Sequence, residues 1–350
     1  MQQKDNDTNT PCVIQTDGLS KAFGMHVAVT DLNLQVMPGD IFGFLGPNGS
    51  GKTTTIRMLL GLIRPTAGTI HLFGQEYSRH LSQLLPRIGA IVETPVFYPY
   101  LSGLDNLRVL ALRSGIPAGR VCHARLDEVL TLIDLSARAK DSYRKYSLGM
   151  KQRLALGAAL LTDPELILLD EPTNGLDPSG VHEMRELIRR LPQTGKTVFL
   201  SSHLLSEIQL VCNRVAILSK GRLLHQSTVQ ELLQRESQIV VRMNTRTEDE
   251  QAFAHLQRLS QQAVSWLHGV KHECDPQGNK VLFINAPSAR SSEITALLAR
   301  ENLYVAEIYQ HRENLEDLFL QLTETQHPSV ANVLAESDGN LSLNPRESIK

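Results

Sequence analysis

Residues 41–60 read IFGFLGPNGSGKTTTIRMLL, an apolar run, a glycine-rich turn and a helical pattern in succession. The central GPNGSGKT, Gly46 to Thr53, has the spacing G-x-x-x-x-G-K-[ST]. Each part of that spacing serves phosphate chemistry. Glycines at Gly46, Gly49 and Gly51 let the backbone curl without Cβ clashes, so that successive N–H groups, through Pro47, Asn48 and Ser50, surround phosphate oxygens. The helix that begins there, with Thr54 in its first turn, adds its positive N-terminal end. Lys52 neutralises β and γ oxygens, and the Thr53 hydroxyl ligates Mg²⁺. A glycine-rich turn leading into a helix would share the composition, but strand, loop and helix occur here together and in order. The reading is therefore a nucleoside triphosphate site.

A second apolar run, Leu166 to Leu169, ends in Asp170 and Glu171. A strand buried on both faces reads as such a run, and its carboxyl end is where open α/β sheets bind ligands. Asp170 suits a place just outside the direct ligands of magnesium, and Glu171 suits polarisation of an attacking water. Two acids closing a strand can also cap the next helix; the phosphate site upstream favours the chemical role.

Around these two segments, short β-branched or apolar runs (IFGFLG, TVFLSS, RVAILS) alternate with helical patterns from Val13 to about 225, which predicts an α/β domain. Within it a helical insert spans about 98–150 and is wholly helical over about 103–140, where Leu126, Val129, Leu130, Leu132 and Ile133 have the spacing of a buried face. Beyond 225 the pattern is β-α-β-β-α-β, a ferredoxin-like order. Its strands are expected at SQIVVRMN, VSWLHGV, KVLFINA and LYVAEIY, its helices at EDEQAFAHLQRL and SSEITALLAR, and a turn at CDPQGN. LEDLFLQL reads as a closing helix. The expected division is a disordered start over 1–12, the α/β domain over 13–225, a small accessory domain over 226–323 and a disordered polar tail over 324–350.

Composition sets bounds on function. The 350 residues carry 35 Lys and Arg against 37 Asp and Glu, a net charge of -2, so no global field draws the chain to nucleic acid. No apolar run approaches the roughly 20 residues that cross a bilayer, and MQQKDNDTNTP has no apolar core of a secretory signal. The expected location is the cytosol. Cys12, Cys122, Cys212 and Cys274 are far apart with no CxxC pair, so they are expected to be reduced, with Cys122 and Cys212 in the core.

Between the two ATP-site segments stands YSLGMKQRLALGAALL (146–161), and after them DEPTNGLDP (170–178) and LSSHLLSE (200–207). With these in sequence order, residues 14–225 resemble the ATP-binding cassette family, specifically the nucleotide-binding subunit of a transporter. The resemblance implies ATP and Mg²⁺ as ligands. It puts Phe23 of KAFG, with Val27, against adenine, where the family usually has a Tyr; Phe23 taken alone is more often a core residue. Ser147 and Gly149 fall in the signature loop, normally L-S-G-G-Q and here Y-S-L-G-M, which binds the γ-phosphate held by the other subunit. Asp177 falls in the loop that joins the two subunits' sites. His203 matches the switch histidine that contacts γ-phosphate and orients water with Glu171; taken alone, with Ser201 and Ser202 before it, it reads as the start of a helix.

The resemblance further implies a head-to-tail homodimer with ATP between the subunits and a separate membrane permease, with the chain peripheral on the cytoplasmic face. IGAIVE puts Glu93 where the family has a glutamine that reaches magnesium and the attacking water, and whose loop touches the permease. The acid followed by TPVFYP (94–99) is similar to the branch that exports bacitracin and lantibiotic-type peptides, and the C-terminal region with its LEDLF (315–319) is similar to the accessory domain of exporter subunits. The alternative is a soluble cassette acting on ribosomes or DNA. A single cassette, no heptad array and no basic run disfavour it.

Overall fold

The structure is a computed structural model and describes residues 11–92, 97–234, 237–261, 264, 266–274 and 280–312. A hairpin, β1 (Ile14–Phe23) and β2 (His26–Val36), precedes the buried strand β3 (Ile41–Leu45) and helix α1 (Lys52–Leu59). β4 (Ala67–Leu72) and β5 (Gln75–Glu76) return to the hairpin, making an antiparallel sheet ordered β2-β1-β4-β5. Helix α2 (Tyr77–Leu84) leads to β6 (Ile88–Ile91), and the insert follows as α3 (Gly103–Arg113), α4 (Arg120–Leu132) and α5 (Leu148–Leu160).

The chain then lays down β7 (Leu166–Asp170), α6 (Pro178–Arg190), β8 (Thr197–Ser202), α7 (Leu205–Val211), β9 (Arg214–Ser219) and β10 (Arg222–Thr228). These complete a six-stranded sheet ordered β10-β9-β3-β8-β7-β6. Its strands are parallel except for β10, which forms an antiparallel hairpin with β9.

The apolar runs are continuous because both faces of this sheet are covered. Ile41 and Leu45 of β3, Ile167 and Leu169 of β7, and Val198 and Leu200 of β8 face a core built with the helical insert, α6 and α7. Their alternates, Phe42, Phe44, Leu166, Leu168 and Phe199, face a second core shared with α1 and the antiparallel sheet. Phe199 stacks on Phe42 at 5.6 Å and tilts against Phe44 at 5.0 Å. At the opposite end from the site, Arg87 forks onto Glu165 at 2.6 and 2.7 Å; that charged bond holds the Glu165 carboxyl below its ordinary range and fixes the starts of β6 and β7. Cys122 and Cys212 are buried, as expected, and the Cys212 thiol is pushed well above its ordinary range by burial.

The accessory region follows helix α8 (Val229–Gln234), whose Val229 and Leu232 belong to the first core although they lie beyond position 225. It contains β11 (Ser237–Met243), α9 (Arg246–Gln261), β12 (Gly269–Cys274), β13 (Lys280–Asn285), α10 (Ser291–Arg300) and β14 (Val305–Arg312). The antiparallel sheet is ordered β12-β13-β11-β14, the ferredoxin-like arrangement. One strand differs from expectation. VSWLHGV (264–270) does not form a strand throughout: the Leu267 N–H closes a turn on the Val264 carbonyl at 2.9 Å, and pairing begins only at Gly269. Cys274 pairs with Lys280 across the hairpin, while the expected turn residues 275–279 lie outside the described residues. So do residues 1–10, LEDLFLQL (315–322) and the polar tail.

Phe199→Ala removes the ring on which Phe42 and Phe44 both pack, at a cost of roughly 3–5 kcal/mol. Urea denaturation followed by circular dichroism should show a clearly lowered midpoint for the α/β domain. An unchanged midpoint would contradict the packing described.

Candidate nucleotide site

At the carboxyl end of β3 the chain turns at Gly46, whose N–H donates to the Ser202 carbonyl at 3.2 Å. A side chain at Gly46 would collide with Ser50 Oγ and lie 2.7 Å from the Leu218 carbonyl, so the close approach requires glycine. Gly49 and Gly51 take the left-handed φ values of 82° and 104° that turn the loop into α1. No side chain caps α1, so its first N–H groups are left to a ligand. Pro47, Asn48 and Gly49 are exposed at the mouth of the loop; Ser50 is buried and its hydroxyl has no hydrogen-bond partner. A tight cradle, uncapped amides and a buried free hydroxyl suit a phosphate chain.

Lys52 curls back beneath the loop. Its ammonium donates to the Gly46 carbonyl at 2.7 Å and the Pro47 carbonyl at 3.2 Å, and pairs with Glu171 Oε1 at 3.2 Å. Only 5% of its side chain is exposed, so that acid is its charge partner in a region poor in water.

The strand register supplies the rest. β7 and β8 are parallel neighbours in which Asp170 pairs with Ser201. The Ser201 hydroxyl donates to Asp170 Oδ1 at 2.6 Å, and the Thr53 hydroxyl donates to Oδ2 at 2.7 Å. The Glu171 N–H in turn donates to Ser201 Oγ at 3.0 Å. Glu171 itself has φ of 47°, an uncommon conformation for a residue with a Cβ, and this turns its carboxylate away from the strand direction. Its Oε2 lies 3.1 Å from His203 Nδ1, which therefore carries the proton in this contact. Lys52, Thr53, Asp170, Glu171 and His203 thus form one bonded network, closed through Ser201.

Magnesium fits this donor set. Thr53 Oγ1 and Asp170 Oδ2 are hard oxygens 2.7 Å apart, and Mg²⁺ takes only one or two protein groups while keeping water and phosphate oxygens. No group of three or more His, Cys, Asp or Glu gathers among the described residues.

Ser201, which in the sequence reads only as a residue before a helix start, is the bridge between both acids. Ser202 does meet the chain after the strand, accepting from the Leu204 N–H at 2.9 Å. A third acid, Glu207, ties the neighbourhood together by accepting from Thr173 at 2.6 Å and from Ser202 at 3.1 Å.

The remaining expected residues lie in other places. Phe23 and Val27 are 49% and 54% exposed at the end of the β1–β2 hairpin, with the Lys21 ammonium 4.9 Å from the Phe23 ring. Phe23 is therefore a surface ring rather than a core residue. Ser147 caps α5, accepting from the Met150 N–H at 3.2 Å, and Gly149 faces Gly180 at the start of α6. The Asp177 carboxylate is also a cap, accepting from the Gly180 N–H at 3.0 Å. The network around Asp170 includes none of these three. Glu93 lies outside the described residues; the strand leading toward it ends at Ile91, which pairs with Leu169.

Comparison with known proteins matches the ABC transporter family model to residues 29–174. The bacitracin transport ATP-binding protein BcrA of Bacillus licheniformis is 38% identical over 311 residues, covering 89% of this chain and 97% of its own. The linearmycin resistance ATP-binding protein LnrL of Bacillus subtilis is 31% identical over 316 residues, covering 89% of this chain and 98% of its own. A solved ATP-binding subunit of an ABC transporter superposes with a TM-score of 0.56 at 29% identity, over 64% of this chain and 92% of that one. A dimeric ATP-binding cassette bound to ADP and Pi shares the fold, with a TM-score of 0.56 at 24% identity over 62% of this chain and 98% of its own. This chain belongs to the ATP-binding subunits of ABC transporters.

Proposed function

We propose that this protein hydrolyses ATP, with Mg²⁺, to energise export of antimicrobial peptides or drugs through a separate membrane permease. The observation that carries the enzymatic half is the bonded network of Lys52, Thr53, Asp170, Glu171 and His203 at one edge of the parallel sheet. Support for the export half comes from relatives named for bacitracin transport and linearmycin resistance, each matched over 89% of this chain. The same relatives disfavour a ribosomal or DNA partner.

Glu171 orients the attacking water and accepts its proton as the oxygen closes on the γ-phosphorus. His203 holds the carboxylate through Oε2, so that the other oxygen is left to Lys52 or to water. A γ-phosphate competes with Glu171 for the Lys52 ammonium; when it wins, the carboxylate is released toward the water while His203 keeps it in place. Thr53 and Asp170 would hold magnesium, which when bound neutralises phosphate charge. Phe23, flanked by Val27, offers a stacking face for adenine.

Ser147 and Gly149 begin α5 away from this network, and the exposed start of that helix suits a phosphate held by a second copy of the chain. Two head-to-tail copies place ATP at two equivalent interfaces, and hydrolysis removes the contacts that close them. A groove of about 540 Å³ beside β6 and α5, with Leu85, Pro86, Ile91, Val92 and Leu110 in its wall, suits an apolar segment of the permease. Glu93 follows that wall in sequence, and we assign it the link between the ATP site and the permease. No helix among the described residues is long and apolar enough to cross a membrane. Peripheral attachment at the cytoplasmic face is the location that fits this role.

Glu171→Gln should retain ATP binding while turnover falls by about 100-fold or more. The same variant should run as a dimer in ATP on size exclusion, and turnover like that of wild type would remove Glu171 from its role. Ser147→Arg should bind ATP normally yet neither dimerise nor hydrolyse it; full activity would exclude the proposed second-copy contact. Affinity purification from detergent-solubilised membranes should recover an integral membrane protein of several helices. Recovery of ribosomes or DNA in its place would overturn the export reading.

A further inference from the structure

The accessory region holds a buried acid that the ATP chemistry does not use. Asp249, in the first turn of α9, is 6% exposed. Its Oδ2 accepts from His272 Nε2 at 2.8 Å, and His272 in turn stacks on Phe253 with ring centroids 4.3 Å apart. Its other oxygen, Oδ1, is buried and has no hydrogen-bond partner. A carboxylate oxygen withdrawn from water without a donor is costly, and such atoms are uncommon in folded proteins.

Asp249 also lines two adjoining cavities, of about 340 and 480 Å³. Arg246 and Lys280 line both of them as well, with Glu250 in the smaller and Arg242, paired with Glu307 at 2.8 Å, in the larger. Arg246 is only loosely held, its nearest acid being Glu250 at 3.5 Å with both side chains well exposed. The Phe253–His272 pair forms an aromatic wall of the smaller cavity.

These surroundings restrict the ligand. A simple anion would gain from Arg246 and Lys280 but would face the Asp249 carboxylate and leave Oδ1 without a donor. A simple cation would meet the Asp249 and Glu250 carboxylates but be repelled by Arg246 and Lys280. A ligand with an ammonium for Asp249 Oδ1 and a carboxylate for Arg246 and Lys280 satisfies all three. Cavities of this size hold a small molecule of that kind, with its side chain against the aromatic wall. The geometry points to a binding site for a free α-amino acid or a close zwitterionic analogue in the accessory domain, separate from the nucleotide site.

Isothermal calorimetry of the full-length protein without ATP, against each of the twenty L-amino acids in turn, tests this. Because turnover is not measured, the result is independent of the proposed ATPase role. At least one amino acid should bind with a Kd of roughly 1 mM or tighter. Its N-acetyl and carboxamide derivatives should each bind at least tenfold more weakly, as should Asp249→Asn. Lys280→Met, at an exposed position, gives the same reading if Asp249→Asn does not fold. Absence of binding by all twenty, equal binding of either derivative, or unchanged affinity in folded Asp249→Asn or Lys280→Met would overturn the proposal.

Discussion

The carboxylate of Asp170 is the point at which three segments far apart in sequence are tied together. Thr53 at the start of α1 and Ser201 at the end of β8 each give it a hydroxyl proton, at 2.7 and 2.6 Å. Ser201 then accepts from the Glu171 N–H, so the same serine that orients one acid fixes the backbone of the next. The two bonds made by Ser201 would not exist if β7 and β8 were out of register by a single residue, since a slip reverses which side chains face each other. Register is held by the two buried faces: Phe199 packs on Phe42 and Phe44 on one side, while Val198 and Leu200 enter the core on the other. Packing in the core thus determines the position of the hydroxyls at the edge.

This also explains what could be read from sequence. Lys52, Thr53, Asp170 and Glu171 are legible because each lies at a fixed offset from a local signal, a glycine-rich turn or the end of an apolar run. Ser201 is legible only as a serine after a strand; its role comes from pairing with Asp170, a property of the sheet rather than of the segment. Phe23 is a case where sequence leaves two readings, since a lone aromatic at a hairpin end is compatible with core or surface, and exposure decides. The strand expected over VSWLHGV begins only at Gly269, because apolar residues at this spacing also occur in a turn. There Leu267 uses its N–H locally and still buries its side chain.

The accessory region follows the same logic with less local signal. Its order of elements is visible in sequence, yet the contact between Asp249 and His272 joins the first turn of α9 to a neighbouring strand across 23 positions. No pattern within either segment marks it. Helix α8, just before this region, is anchored in the core of the ATPase by Val229 and Leu232, and its first N–H donates to the Asn213 carbonyl at 2.9 Å. The chain is therefore packed against the ATPase core as far as helix α8.

The left-handed backbone at Glu171 has a consequence for the timing of catalysis. A side chain fixed at its base by an unusual φ and at its tip by Lys52 and His203 has few conformations left to sample. The backbone at its base is ordered once, when the strand pairs and the core closes, and the His203 contact remains when a γ-phosphate takes Lys52. Successive catalytic cycles then begin from a carboxylate already placed, and the entropy of positioning it does not enter the barrier of each turnover.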